Sequence, residues 1–187
     1  MEIRVWSGQI AFVAGQLFYT QAEWIVLSCA PNAGLSLFWK QAPGSVEMKA
    51  TIRWAGDVKF EAESGSGHTV TIDGPPEYGG NNQGVRPMEL MLLGVGGCSA
   101  FDVMHILKKS RQDVTDCVTQ VSAERVDAVP AVFESIHLHF LVSGRGLKEA
   151  QVKRAVELSA EKYCSASIML SKAGVNITHS YEITEAV

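Results

Sequence analysis

The feature that most constrains the fold of this sequence is one long apolar helix whose centre is made of small residues. The stretch RPMELMLLGVGGCSAFDVMHILKK, residues 86–109, has helical character, with Pro87 and Glu89 suited to a first turn. Apart from Val95, its middle positions hold small side chains, namely Gly94, Gly96, Gly97, Cys98, Ser99 and Ala100. Each glycine costs about 1 kcal/mol relative to alanine inside a helix, so close packing is expected to require them.

This helix is expected to be buried on every side. It is apolar nearly all round from Leu90 to Phe101, and small central residues allow a second helix to approach closely. A membrane helix is the alternative, because such helices also use small residues at their contacts. The apolar run ends at Asp102, with His105 on the same side, and is shorter than the ~20 residues that a span needs. We therefore expect a buried helix that crosses a partner helix.

Composition narrows the class of protein. A chain of 187 residues suits one main domain, and a net charge of −4 gives no electrostatic reason to expect nucleic acid or an anionic membrane as a partner. The four cysteines form neither a C-x-x-C pair nor a zinc-knuckle spacing: Cys29, Cys98, Cys117 and Cys164. We expect thiol chemistry or plain burial in a reducing compartment, the cytoplasm, without a cofactor or metal.

Residues 1–47 differ in character from the rest of the chain. They contain Trp6, Trp24 and Trp39 but few charged residues, and polar side chains interrupt every apolar run. A lipoprotein cleavage site at VLSCA, around Cys29, is disfavoured because no clean apolar segment precedes it. We expect Met48 to be the natural start and residues 1–47 to be an upstream-start artefact or a poorly ordered extension of the domain 48–187.

After Met48 the periodicity predicts an α+β fold. Three strands, KATIRWAG, DVKFEAES and HTVTIDG, precede a loop over residues 74–87 and the long helix. The strands CVTQVSAERV and FESIHLHFLVS follow, then the helix LKEAQVKRAVELSAEKY, the short helix SASIMLSKA and the strand VNITHSYEI. Runs of antiparallel strands with segregated helices are typical of α+β proteins.

Cys98 has two interpretations from its local sequence. A thiol in the middle of a helix receives little help from the helix dipole, so a reactive Cys98 needs a cation or hydrogen-bond donors from elsewhere. It is otherwise one more small buried residue. His105, two turns further along, is placed either to tune the thiol or to cap the helix end.

Other candidate residues favour structural roles. His137 and His139 share one face of a strand, as a metal-binding pair would, but the opposite face is apolar. We expect these histidines on the solvent or partner side. Cys117, at the start of its predicted strand, is expected to be structural.

The run from Pro87 to Cys98 resembles the signature of the OsmC/Ohr family of thiol-dependent peroxidases. In both, a proline, an acidic residue, apolar turns and small residues lead to a cysteine eleven positions after the proline. A second cysteine closes the next long helix of the family, and Cys164 follows Cys98 by sixty-six residues. The resemblance extends from Met48 to the C-terminus, and GGCSAFDV, SAEKYCS and VNITHSYE are similar to the YhfA-like branch.

The resemblance implies an intertwined homodimer, with two long central helices enclosed by antiparallel sheets. It also implies that Cys98 attacks an organic hydroperoxide and becomes a sulfenic acid. Cys164 would then condense with it to a disulfide, which an external dithiol reduces.

Some positions depart from the family pattern. The glutamate that follows the proline in the peroxidases is Met88 here, and the acid stands one residue later, at Glu89. One step along a helix rotates a side chain by about 100°. Arg86 is the nearest match to the assisting arginine, Arg53 is a weaker one, and Ser165 replaces a proline. The alternative function is therefore a non-catalytic OsmC-like dimer that binds a small apolar or thiol ligand near Cys98, or senses oxidation.

Removing residues 1–47 should leave the melting temperature of the remaining chain within a few degrees, because every predicted element of the domain follows Met48. Thermal denaturation of the full chain and of residues 48–187 measures this difference. A large fall in melting temperature would show that the aromatic-rich segment contributes to the core.

Overall fold

The structure is a computed structural model that describes residues 3–5, 25–27 and 47–186. The chain divides into two compact units, Met1–Lys49 and Ala50–Val187. In the first unit, β1 (Ile3–Val5) and β2 (Ile25–Leu27) form an antiparallel pair. The prediction that residues 1–47 are an extension falls largely outside the described residues and stays a prediction.

The second unit begins with a three-stranded antiparallel sheet. Its strands are β3 (Ala50–Trp54), β4 (Phe60–Ser64) and β5 (Thr69–Ile72), in that order. The turn between β3 and β4 has a positive φ at both Gly56 and Asp57, as the Gly-Asp pair predicts. This sheet exposes apolar side chains, including Ile52 and Trp54.

A buried carboxylate organises the loop between this sheet and the long helix. The side chain of Asp73 accepts hydrogen bonds from the backbone N–H groups of Gly74, Asn81 and Gln83, at 2.8, 3.0 and 2.9 Å. The Gln83 bond contributes most to lowering the pKa of Asp73, against the opposing effect of burial. Asp73 therefore holds the loop as a carboxylate, just before the long helix begins.

The long helix α1 spans Pro87–Lys109, in agreement with the sequence prediction. Arg86 caps its N-terminus together with Glu89. The Glu89 carboxylate accepts one hydrogen bond from the Arg86 backbone N–H and one from its guanidinium, both at 2.9 Å. Lys108 and Lys109 lie in the last turn, where a positive charge interacts favourably with the helix dipole.

The second sheet contains β6 (Asp113–Arg125), β7 (Phe133–Arg145) and β8 (Asn176–Glu185), in that order. Strands β6 and β7 form an antiparallel hairpin, but β8 runs parallel to β7. The expectation of purely antiparallel sheets is therefore wrong for this pair. Two helices connect β7 to β8 and return the chain to the end where β7 began, and this is how parallel strands are joined.

The connecting helices are α2 (Glu149–Leu158) and α3 (Ser165–Lys172). The sequence pattern predicts one helix through Tyr163, whereas the structure ends α2 at Leu158 and continues with a π-helical turn over Ser159–Tyr163. The backbone N–H of Cys164 closes this turn on the Ser159 carbonyl at 2.9 Å. Cys164 thus lies between two helices, as predicted.

Helix α1 forms the core with the second sheet and with α2, which confirms the α+β class. Its buried residues Val103 and Leu107 belong to one cluster with side chains from β7 and α2. The other members of that cluster are Leu138, Phe140, Val142, Val152, Ala155 and Val156. Within the described chain, neither core cluster contains a residue of β3, β4 or β5.

Only one side of α1 is buried within a single chain. The prediction that α1 is buried on every side therefore does not hold for one copy of the chain. Gly96 is buried against β6, and a Cβ there would lie 2.7 Å from Cγ2 of Val121. Gly94, Gly97 and Phe101 lie on the exposed side. By length and composition alone α1 could cross a membrane, but here it is the central helix of the fold.

Gly96→Ala should lower the free energy of unfolding by about 1–3 kcal/mol, because the new methyl group overpacks the contact with Val121. Chemical denaturation measures this loss. Val121→Ala removes the opposing methyl groups, so the double variant should lose less than the sum of the two single losses. Strictly additive losses would contradict the close approach of α1 to β6.

Candidate thiol site

Helix α1 and the N-terminus of α3 bring two cysteines together. Cys98 projects from the middle of α1, and Cys164 is the residue that precedes α3. Their Sγ atoms lie within 4.8 Å of each other, although sixty-six residues separate them in sequence. Cys98 is partly exposed, whereas Cys164 is fully buried. A rotation of the side chains can close this distance to the ~2.05 Å of a disulfide.

Hydrogen-bond donors surround the Cys164 sulfur. Ser99 Oγ donates to Cys164 Sγ at 3.1 Å, and Ser167 Oγ donates at 3.2 Å. The Ser167 backbone N–H is a third donor, at 3.4 Å. Both serines are buried, and Ser159 Oγ in turn donates to the Ser99 carbonyl at 3.3 Å. This environment is suited to a negatively charged sulfur.

The local sequence explains this arrangement. Cys164 takes the N-cap position of α3, where a serine or threonine usually accepts a bond from the backbone three residues later. Here the sulfur accepts that bond from Ser167. Ser99 follows Cys98 in α1, about 100° further round the helix, and Cys164 lies between the directions of these two side chains, close to both.

The two thiols have opposite pKa shifts. Burial raises the pKa of Cys98 most, and the neighbouring Cys164 and Asp102 add to this rise, while a hydrogen bond from the Ala166 backbone opposes it. Burial also acts to raise the pKa of Cys164, but the hydrogen bonds from Ser167 and Ser99 outweigh it and the pKa is lowered. The hydrogen bonds from Ser167 and Ser99 therefore favour the thiolate form of Cys164, whereas burial disfavours the thiolate form of Cys98.

Asp102 is a third member of the site. It lies one turn after Cys98 on the same face of α1, and a carboxylate oxygen is within 4.8 Å of both sulfur atoms. Its Oδ2 is buried and has no hydrogen-bond partner among the described residues. Burial raises the pKa of Asp102, against the effect of His105. His105 itself is exposed and stacks on Phe101, with ring centroids 6.3 Å apart.

Arg86 and Glu89 lie away from the thiols of the same chain. Glu89 precedes Cys98 by nine residues, or about 13.5 Å along a helix axis, which excludes direct contact between the two side chains. The backbone and side-chain hydrogen bonds from Arg86 lower the pKa of Glu89. Met88 packs into the core, and Arg53 lies exposed on β3. The predicted catalytic roles of Glu89 and Arg86 stay predictions.

Sequence reasoning missed Ser99, Ser167 and Asp102 as members of the site. Asp102 has a detectable signal, because residues four apart on a helix share a face. The pattern Cys-x-x-Ser at the start of a helix indicates an N-cap, but a cysteine is an unusual cap. The contact of Ser99 with Cys164 joins distant segments, and no local pattern predicts it.

The remaining candidates lie outside the thiol site. His137 shares hydrogen bonds of 2.7 Å with Thr178 and Ser180 of β8, and His139 shares one of 2.7 Å with Ser180. Both rings are on the sheet face opposite the buried Leu138, as predicted. Cys117 packs against the core in β6, where burial raises its pKa.

Together the two thiols and the carboxylate form a site where the sulfur atoms can be oxidised or can bind a ligand. Two sulfur atoms at this distance can be oxidised to a disulfide and reduced again. One of them is reachable from solvent and the other is shielded. The arrangement is therefore a dithiol with an accessible and a protected member.

Comparisons with known proteins agree with this fold. The family described as OsmC-like protein matches residues 80–180. Protein YhfA of Escherichia coli K12 is 50% identical over 139 residues, which cover 74% of this chain and all of YhfA. A hypothetical protein from Aquifex aeolicus has a crystal structure that is 30% identical, with a TM-score of 0.67 over 76% of this chain and 100% of that one.

A more distant structure shares only the fold. It is an organic hydroperoxide resistance protein OsmC from Legionella pneumophila, with 18% identity and a TM-score of 0.57 over 73% of this chain and 97% of that one. The family match spans more than half of the chain, and the identity to YhfA extends over that relative's whole length. This chain is therefore a member of the OsmC-like family.

Proposed function

We propose that this protein is a thiol-dependent peroxidase that reduces organic hydroperoxides. The observation that carries the proposal is the proximity of Cys98 and Cys164, whose sulfur atoms lie within 4.8 Å in a site with one accessible and one protected thiol. Family membership supports a peroxide-related role, because relatives of this fold include an organic hydroperoxide resistance protein.

Cys98 is proposed as the first thiol to react. It is partly exposed, whereas Cys164 is fully buried, so an incoming hydroperoxide meets Cys98. Cys98 loses its proton, its thiolate attacks the terminal peroxide oxygen, and the O–O bond breaks. The alkoxide takes up a proton and leaves as the alcohol. The product at Cys98 is a sulfenic acid.

Cys164 then resolves the sulfenic acid. Its sulfur, prepared as a thiolate by Ser99 and Ser167, attacks the Cys98 sulfur. The hydroxyl of the sulfenic acid takes up a proton and leaves as water, and a Cys98–Cys164 disulfide forms. An external dithiol reduces this disulfide by thiol–disulfide exchange and restores both thiols. A reducing cytoplasm suits this cycle.

We further propose that two copies form an intertwined dimer. Along one side of α1, Gly94, Gly97 and Phe101 are exposed, and Phe101 exposes 73% of its surface. Nothing in the described chain lies within 4 Å of a Cβ built at either glycine. Trp54 of the first sheet is also 69% exposed. A second α1 helix packed on the glycines would cover this apolar side of α1.

One observation favours a second candidate function. Burial, Cys164 and Asp102 raise the pKa of Cys98, and a thiol that keeps its proton reacts slowly with peroxides. In that case the same fold would bind a small apolar or thiol ligand, or would sense oxidation without turnover. The two candidates differ in whether the disulfide forms and is reduced repeatedly.

Stoichiometric organic hydroperoxide should convert Cys98 and Cys164 to one disulfide, because their sulfur atoms are already close. Mass spectrometry of the intact and digested protein measures this product. Cys98→Ser should abolish peroxide consumption, and Cys164→Ser should stop after one turnover with Cys98 as sulfenic acid, followed by over-oxidation.

Cys117→Ser is the matched control, since Cys117 lies in β6 outside the site, and it should behave as the unaltered protein. Free thiols at Cys98 and Cys164 after oxidation of Cys117 would contradict the peroxidase assignment.

Glu89→Gln tests the charged pair that the family resemblance predicts to assist catalysis. A catalytic Glu89 should make kcat/KM fall at least about tenfold, the equivalent of 1.4 kcal/mol. In the proposed dimer, the second copy would have to supply it, because Glu89 cannot reach Cys98 of its own chain. Loss of the helix cap alone would lower the melting temperature and leave kcat/KM unchanged, which would remove Glu89 from the catalytic residues.

Gly97→Leu should dissociate the proposed dimer, because leucine prevents close approach of two α1 helices. Within the described residues, nothing lies within 4 Å of a Cβ built at Gly97, so the folded chain should tolerate the substitution better than the dimer contact does. Sedimentation velocity of the unaltered chain and of the variant measures the change from dimer to monomer. A stable monomer of the unaltered chain at micromolar concentration would contradict the dimer.

A further inference from the structure

We propose that the reduced thiol site binds zinc through Cys98 Sγ, Cys164 Sγ and a carboxylate oxygen of Asp102. These three atoms lie within 4.8 Å of one another. Tetrahedral zinc, with bonds of about 2.3 Å to sulfur and about 2.0–2.2 Å to oxygen, holds its ligands roughly 3.5–3.8 Å apart. The site therefore needs only small side-chain movements to enclose one ion. Because Cys164 is far from Cys98 and Asp102 in sequence, the three residues form no recognisable zinc-binding motif.

The donor set selects zinc among common cations. Magnesium and calcium require oxygen ligands, and the site offers two sulfur atoms. Thiolates combined with a carboxylate fit a cation of intermediate softness, which is the character of zinc. Three protein ligands leave the fourth tetrahedral position open for water or a small anion.

Asp102 offers a carboxylate oxygen that is not engaged elsewhere among the described residues. Its Oδ2 is buried, and none of the described residues donates a hydrogen bond to it. Buried carboxylate oxygens are normally hydrogen-bonded or coordinated to a metal. A cation between Asp102 and the sulfur atoms satisfies this oxygen and offsets the repulsion between carboxylate and thiolate.

Neighbouring groups are placed as they are around protein metal sites. Ser99 Oγ and Ser167 Oγ donate to Cys164 Sγ and fix its orientation, which is the role of the outer shell of a metal centre. Cys164 is closed to solvent, while Cys98 and Asp102 are partly exposed and leave a route in for the ion.

Zinc binding and disulfide formation exclude each other at this site. Both use the sulfur atoms of Cys98 and Cys164, so oxidation by a hydroperoxide would release the ion and reduction would restore its site. The zinc site itself does not depend on the proposed peroxidase activity, because it requires only the reduced thiols and Asp102.

The test is zinc binding to the full chain, reduced and kept free of oxygen. Competition with a chromophoric zinc chelator should show one ion per chain, and excess magnesium should not displace it. Cobalt(II) in place of zinc should give the intense near-ultraviolet absorption of thiolate-to-cobalt charge transfer, with the strength of two thiolates. Disulfide-bonded protein should bind neither ion at this site.

Variants assign the ligands. Asp102→Asn keeps the shape of the side chain and should weaken zinc binding at least tenfold, while Cys98→Ser and Cys164→Ser should weaken it at least a hundredfold. Cys117→Ser, as the control, should bind as the unaltered protein. Circular dichroism checks that each variant is folded, and the cobalt spectrum of the unaltered chain gives a result that needs no variant.

A cobalt complex without thiolate absorption, or an Asp102→Asn variant that binds zinc as tightly as the unaltered protein, would overturn the site. Peroxide turnover measured with a chelator present is a separate result. Zinc binding without turnover would overturn only the proposed peroxidase, and turnover without zinc binding would overturn only the metal site.

Discussion

Close packing of helix α1 against its neighbours is the constraint on which the rest of this structure depends. Gly96 allows the helix backbone to approach Val121 of β6, and Ser99 is small enough to lie buried between α1 and α3. Larger residues at these positions would move α1 outward and separate Cys98 from Cys164. The small residues that lower the stability of the helix therefore also keep Cys98 close to Cys164.

The sequence predicted much of this fold because its elements carry local signals. The ends of α1 follow from Pro87 and the two final lysines, and the alternation of β7 separates a buried face from the face of the two histidines. The parallel pairing of β8 was not predicted, since it depends on how two helices pack on the sheet. The π turn before Cys164 depends likewise on tertiary contacts.

The candidate site likewise contains some residues that the sequence predicted and others that only the structure revealed. The two cysteines were identified from a family resemblance, and the structure places their sulfur atoms together. Asp102 was recoverable from helical spacing, whereas the donors to Cys164 come from distant segments and required the structure. These donors favour the thiolate form of the buried Cys164, whereas Cys98 is the thiol that solvent can reach. A hydroperoxide and a zinc ion would approach this pair from the same side.

The central claim is that the two thiols turn over a hydroperoxide, and steady-state kinetics tests it most directly. The full chain should reduce cumene hydroperoxide or tert-butyl hydroperoxide over many cycles when a dithiol such as dihydrolipoamide is present. Consumption of one equivalent or less per chain, with the dithiol in excess, would contradict the peroxidase and favour the ligand-binding or sensing function.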